Sequence, residues 1–180
     1  MEGHGRFTTI GKSYGLGIIG LGEGKGLVRG LHGHPELKVL AVCDVNKELI
    51  NKTKRDYEIP YGYNDLTLMA DRKDIDIIAI YTPDQLHIEH IKTCFRAGKH
   101  VLCTKPLVNS LSEAKEVMKL VEEYPHTKLM VGQSSRFFGP MQEQRRAFEA
   151  GKLGQISFME TQYVHDMRWF YDNRQWAMEG

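Results

Sequence analysis

Between Gly20 and Gly26 the chain reads Gly-Leu-Gly-Glu-Gly-Lys-Gly, between two short apolar runs. Glycines at this density leave backbone bare, and a diphosphate needs bare backbone to rest on the N–H groups that open a helix. The segment approaches G-x-G-x-x-G, in which the first glycine makes a tight turn and the second admits the diphosphate. The third packs the helix on its strand. Lys25 occupies that third position, so Gly26 is expected to take the packing role in a turn one residue longer. Asp44 follows 22 residues beyond Gly22, at the end of the next apolar run. A carboxylate there can accept both hydroxyls of an adenosine ribose and repels a 2′-phosphate, which favours NAD over NADP; Lys47 nearby softens that preference. The candidate cofactor-binding residues here are Gly20, Leu21, Gly22, Glu23, Gly24, Gly26 and Asp44. A glycine-rich turn that binds nothing is the alternative.

Two later apolar runs end in segments with chemistry of their own, Tyr81-Thr82-Pro83-Asp84-Gln85-Leu86-His87 and Cys103-Thr104-Lys105-Pro106. Ligands of an open parallel sheet collect outside the carboxyl ends of its strands, which adds Thr82, Pro83, His87, Thr104 and Lys105 to the candidates. Lys105 is expected to emerge partly desolvated at the edge of the site, placed to hydrogen-bond a substrate hydroxyl or relay its proton. A solvated Lys-Pro turn is the plainer reading. His87, His90 and Cys94 share a helical face, but a fourth ligand is missing and no metal is expected. His32 and His34 read as a solvated helix end, and Cys103 as a buried, inert thiol.

These residues need elements to position them. Leu16 to Ile19, Leu37 to Val45, Ile75 to Tyr81, His100 to Cys103 and Lys128 to Gly132 are apolar runs of strand length, as in a parallel sheet covered on both faces. Helical patterns intervene. An apolar stretch after Gly26 looks like a helix start, and charged residues around 47–55 read as a solvated helix face. Asp84 is expected to cap a helix whose face is Leu86, Ile88, Ile91 and Phe95 and which stops at Gly98. Ser110-x-x-Glu113 forms a capping box ahead of Leu111, Ala114, Val117, Met118, Val121 and Tyr124. A last helix over 139–150 closes at Gly151. The fold expected is α/β, a doubly wound parallel sheet with the truncated start of a second α/β domain. Residues 1–13 read as a leader, 14–150 as a dinucleotide-binding domain and 151–180 as the incomplete second domain, opening with a strand over 155–165.

The chain has 180 residues, with 24 Lys+Arg against 23 Asp+Glu, a net charge of +1 that offers no field for nucleic acid or an anionic membrane. No run is long and apolar enough to span a bilayer, and MEGHGRFTTIGKSYG lacks the apolar core of a signal peptide. Three cysteines without a C-x-x-C fit a reducing, cytoplasmic setting.

Taken together, the glycine segment, Asp44, T-P-D-x-x-H and H-V-L-C-x-K-P resemble the Gfo/Idh/MocA family of sugar and cyclitol oxidoreductases. The resemblance runs over about residues 14–165 and includes S-S-R-F-F (Ser134 to Phe138) and G-K-L-G-Q-I (Gly151 to Ile156). It implies an N-terminal Rossmann domain holding NAD(P), and a C-terminal domain for substrate and homo-oligomer formation. It also implies Thr82 and Pro83 on the nicotinamide side. Lys105 matches the lysine of the family's E-K-P motif, which assists proton transfer from the substrate alcohol. Thr104 replaces the glutamate of that motif. The family's general acid/base histidine lies in the second domain, and the sequence stops where that segment is expected to open. The function implied is hydride transfer between a nicotinamide and a secondary alcohol of a small sugar or cyclitol. An NAD-dependent glycosidase of the same fold and a non-catalytic dinucleotide-binding subunit are the alternatives.

Overall fold

Runs of β-branched and aliphatic residues bounded by glycine and polar turns become strands, and the capped amphipathic stretches between them become helices. The computed structural model of the protein describes Gly11 and residues 13–168. Along the chain lie β1 (Tyr14–Ile19), α1 (Leu21–Leu31), β2 (Leu37–Cys43), α2 (Lys47–Asp56), β3 (Tyr61–Tyr63) and α3 (Leu66–Ala70). Then come β4 (Ile77–Ile80), α4 (His87–Arg96), β5 (His100–Thr104), α5 (Leu111–Glu123), β6 (Leu129–Gly132) and α6 (Gly139–Glu149). The strands form one sheet in the order β3-β2-β1-β4-β5-β6, parallel in register, as the doubly wound reading requires. The order reverses between β1 and β4, so the loops leaving those two strands diverge and open a crevice.

Strand alternation divides the core into two layers. Leu16, Ile18, Val42 and Ala79 face one side with Leu21 and Val28 of α1 and Ile50 of α2. Ile19, Ala41, Cys43, Ile78 and Ile80 face the other, against Met69 of α3 and Ile91, Cys94 and Phe95 of α4. Each fully buried aliphatic side chain contributes about 1.5–3 kcal/mol of transfer free energy, so these layers fix the strand ends from which the site is built.

Several sequence expectations are corrected. The helix of the glycine segment starts at Leu21, not after Gly26. Glycine costs a helix about 1 kcal/mol per residue, which made the segment read as loop, but burial of Leu21 and Val28 overrides that preference. Asp84 does not cap α4: it opens a 3-10 turn, Asp84–Leu86, and α4 begins at His87 without a side-chain cap. Gly98, at φ 71°, does supply the left-handed stop. The capping box of α5 forms, with Glu113 N–H donating to Ser110 Oγ at 3.2 Å and Glu113 Oε2 accepting from Asn109 N–H at 2.8 Å. The buried face of α5 is narrower than its apolar stripe. Val117 and Leu120 are buried and Tyr124 meets Phe95 edge-on, whereas Leu111 and Met118 are 73% and 65% exposed. Residues 155–165 form no strand, because the described residues offer that segment no partner for its hydrogen bonds. By its contacts the chain divides into two compact units, one ending at Val131 and the other, which carries α6, starting at Gly132.

Candidate functional site

The hydrogen-bond ladder continues one residue past the strands, and this brings the loop residues level. Gly20 N–H donates to the Cys43 carbonyl at 3.0 Å, Asp44 N–H to Tyr63 at 3.1 Å, and Tyr81 N–H to Ile19 at 2.8 Å. Gly20, Asp44 and Thr82 therefore meet at the carboxyl edge of the sheet. They line a crevice of about 730 Å³ together with Pro83, Val45, Asn64, Asp65, Leu68, Leu86 and His90. That volume falls in the range of small-molecule and cofactor sites. A smaller hollow of about 300 Å³ lies by Leu37 and Lys38 at the other end of β2. There His34 Nδ1 accepts from the N–H groups of Glu36 and Leu37, a structural turn.

Gly20 makes the tight turn. Its φ is 87°, and a Cβ there would lie 2.5 Å from the carbonyl carbon and oxygen of Tyr81, so both the conformation and the space require glycine. Gly22 is exposed in the first turn of α1, and a Cβ on it would meet nothing within 4 Å. Glu23 is exposed beside it. The third-glycine role belongs to Gly24 rather than Gly26. A Cβ at Gly24 would stand 2.9 Å from Ile18 Cγ2, whereas Gly26 faces open space. Lys25 is exposed, directed to neither the strand nor the core.

Asp44 is anchored by backbone. Leu21 N–H donates to its Oδ2 at 2.7 Å and Asn46 N–H to its Oδ1 at 2.9 Å. Gly20 has no side chain with which to cap α1, so the carboxylate takes that place and favourably meets the positive end of the helix. Each carboxylate oxygen retains a lone pair for a further donor. Leu21 itself is a core residue, 0% exposed, and offers the site only its backbone. Asp65 adds a second carboxylate to the crevice while accepting from Thr67 N–H at 2.8 Å to cap α3. Burial, and then the charges of Asp44 and Asp65, push the Cys43 thiol up to about 12.

His87 is not a crevice residue. It is fully buried, with Nε2 3.0 Å from the Thr82 carbonyl oxygen and Nδ1 2.8 Å from that of Pro106. His90 takes its place in the crevice, with Nδ1 3.0 Å from Thr82 Oγ1. Burial, with His87 adjacent, holds the His90 imidazole below the usual histidine range. Thr104 is half-buried at the end of β5, and Lys105 stands exposed beyond it, so the expected desolvation of Lys105 is not supplied by the described residues. Neither residue lines the crevice.

Asn64, Asp65, Leu68 and His90 escaped the sequence reading. Asn64 and Asp65 follow β3, three residues long and too short to be seen as a strand, and Leu68 lies within α3, five residues long. His90 carried a signal in its three-residue offset from His87, and that offset was weighed only for metal. Among the described residues no group of three His, Cys, Asp or Glu side chains could hold a metal ion.

A parallel sheet of this order, with a tight glycine turn at its switch point and a backbone-anchored acid on the adjoining strand, defines a Rossmann-type nucleotide-binding domain. The chain belongs to the Gfo/Idh/MocA oxidoreductase family, NAD-binding Rossmann fold, whose model matches residues 14–133. It is 32% identical over 139 residues to an uncharacterized oxidoreductase of Bacillus subtilis, YrbE, covering 77% of this chain and 40% of that protein. It is 28% identical to the inositol 2-dehydrogenase of Rhizobium meliloti, over 80% of this chain and 43% of the relative. Its fold matches the myo-inositol 2-dehydrogenase of Lactobacillus plantarum with a TM-score of 0.86 at 24% identity, over 94% of this chain and 50% of the other. A scyllo-inositol dehydrogenase of Lactobacillus casei, solved with NAD(H) and scyllo-inositol, superposes with a TM-score of 0.76 at 23% identity, over 81% and 44% of the two chains. The chain thus spans less than half the length of these curated relatives. Among the described residues no helix is long and apolar enough to cross a membrane.

Proposed function

We propose that this crevice binds NAD(H) and that the protein transfers a hydride between a nicotinamide and a secondary alcohol carbon of a cyclitol or sugar. The observation that carries the reading is the Asp44 carboxylate, held by two backbone N–H groups beside the first turn of α1, with acceptor capacity left for two ribose hydroxyls. The diphosphate would rest on the bare backbone at Gly20 to Gly22, on the positive end of α1. Val45 and Leu68, 92% and 55% exposed on the lip of the crevice, suit the faces of an adenine ring. Two carboxylates, Asp44 and Asp65, oppose a 2′-phosphate and favour NAD over NADP.

Thr82 and Pro83 lie across the switch point from Asp44, where the nicotinamide half of an extended dinucleotide would reach. When bound, the nicotinamide supplies the hydride acceptor or donor. Lys105, one residue past β5 on the same edge of the sheet, would hydrogen-bond the substrate hydroxyl and relay its proton. Inositol dehydrogenases among the relatives support a cyclitol as substrate. Three buried, unpaired cysteines suit a reducing cytoplasm.

Fluorescence titration of the 180-residue chain with NADH tests the reading. Saturable binding that is tighter than for NADPH is expected. No saturable binding of either nucleotide would overturn it.

A further inference from the structure

Two histidines one helical turn apart contact Thr82. His87 Nε2 meets its carbonyl oxygen and His90 Nδ1 meets its hydroxyl, each at 3.0 Å. The second ring nitrogen of His87 meets the Pro106 carbonyl at 2.8 Å, one residue past Lys105. A carbonyl oxygen only accepts, so whichever nitrogen of His87 carries a proton donates it to one of the two loops. The spacing of three places both imidazoles on one face of the first turn of α4. That helix is fixed to the core by Ile88, Ile91, Cys94 and Phe95, all buried, so the imidazoles have a rigid mount.

His90 is the member that reaches the crevice. Its neutral ring either donates to Thr82 Oγ1 or accepts from it, and either arrangement fixes the rotation of the Thr82 hydroxyl. Without His90 that hydroxyl would be free to turn.

We infer that His90 is a positioning residue, a brace that fixes the Thr82 hydroxyl, while His87, buried between the Thr82 and Pro106 carbonyls, donates to one of those two loops. The brace sets the affinity for the nicotinamide half of the dinucleotide and not for the adenosine half. The inference rests on the reading of the crevice as a dinucleotide site with Asp44 at its adenosine end. Asp44 is held by the N–H groups of Leu21 and Asn46, whereas the histidines' ring nitrogens meet Thr82 and Pro106, so the two ends are separable.

The 180-residue chain and its variants are titrated with NADH and with ADP-ribose, which keeps the adenosine and diphosphate but lacks the nicotinamide. For the unsubstituted chain NADH is expected to bind more tightly than ADP-ribose. His90→Phe keeps a ring but removes Nδ1, and should weaken NADH about three- to tenfold, the effect of one hydrogen bond, with ADP-ribose changed less than about twofold. His90→Asn returns a polar atom near the Nδ1 position and should recover most of that loss. In a Thr82→Ala background His90→Phe should have no further effect. The inference is overturned if His90→Phe leaves NADH affinity unchanged, or weakens both ligands equally. It is also overturned if the unsubstituted chain binds the two ligands with equal affinity. Binding of neither ligand would remove the dinucleotide reading itself, and the brace with it.

Discussion

Replacing Gly24 and Gly26 by alanine, one at a time, separates the glycine that packs from the glycine that does not. Both sit inside α1, where alanine is favoured over glycine by about 1 kcal/mol. At Gly26 a Cβ meets nothing within 4 Å, so the full gain is expected. At Gly24 the new Cβ would stand 2.9 Å from Ile18 Cγ2 and 3.4 Å from Tyr81 Cβ. Ile18 is 0% exposed on the strand under the helix and cannot retreat, so overpacking costs about 1–3 kcal/mol. Subtracting the propensity gain leaves Gly24→Ala between neutral and about 2 kcal/mol destabilised. The two variants should therefore differ by roughly 1–3 kcal/mol, or roughly 2–12 °C in melting temperature for a chain of this size. Thermal unfolding of the 180-residue chain, followed by circular dichroism, measures the difference. Leucine has no branch at Cβ, so Ile18→Leu removes the offending Cγ2 and should restore much of the loss in the double variant. Equal melting temperatures for the two single variants, or a more stable Gly24→Ala, would refute the assignment of the packing role.

Other outcomes follow from the same geometry. Asp44→Asn removes a charge-assisted acceptor and should weaken NADH binding about ten- to a hundredfold while narrowing the gap to NADPH; an unchanged NADH Kd would contradict the ribose assignment. Thr53 of α2 buries a hydroxyl that has no hydrogen-bond partner among the described residues, so Thr53→Val should raise the urea midpoint by about 1 kcal/mol equivalent, and a lowered midpoint would show that the hydroxyl is satisfied after all. Burial pushes the Cys43, Cys94 and Cys103 thiols up to about 12, which leaves them protonated at pH 8. Iodoacetamide should therefore label none of them in the native chain and all three in denaturant, and fast native labelling detected by mass spectrometry would count against the buried placement.

The parallel sheet was legible because strands buried on both faces must be apolar throughout. The runs ending at Ile19, Cys43 and Ile80 announce themselves without alternation. The position of Asp44, Thr82 and Pro83 was legible for a related reason, since the first polar residues after such runs must emerge at the carboxyl edge of the sheet. What stayed hidden depends on contacts between distant segments. Nothing in Gly-Leu-Gly-Glu-Gly-Lys-Gly reveals which glycine lies over Ile18, because that choice is made by the approach of α1 to β1. His87 illustrates the same limit: its place after T-P-D-Q-L marks it as special, but only the fold shows two carbonyls waiting on either side of its ring. Strand β3 is too short to leave a pattern, and the acid that follows it, Asp65, went unseen with it.

The near-collision between Gly20 and the Tyr81–Thr82 peptide has a practical corollary for protein engineering. Two connections 61 residues apart in sequence, at Gly20 and Tyr81, share one wall, so neither can be exchanged with a homologue's version by itself. A chimera that imports a foreign nucleotide loop must bring the donor's matching segment after the fourth strand. Libraries aimed at altered coenzyme choice should accordingly diversify the two as a linked pair.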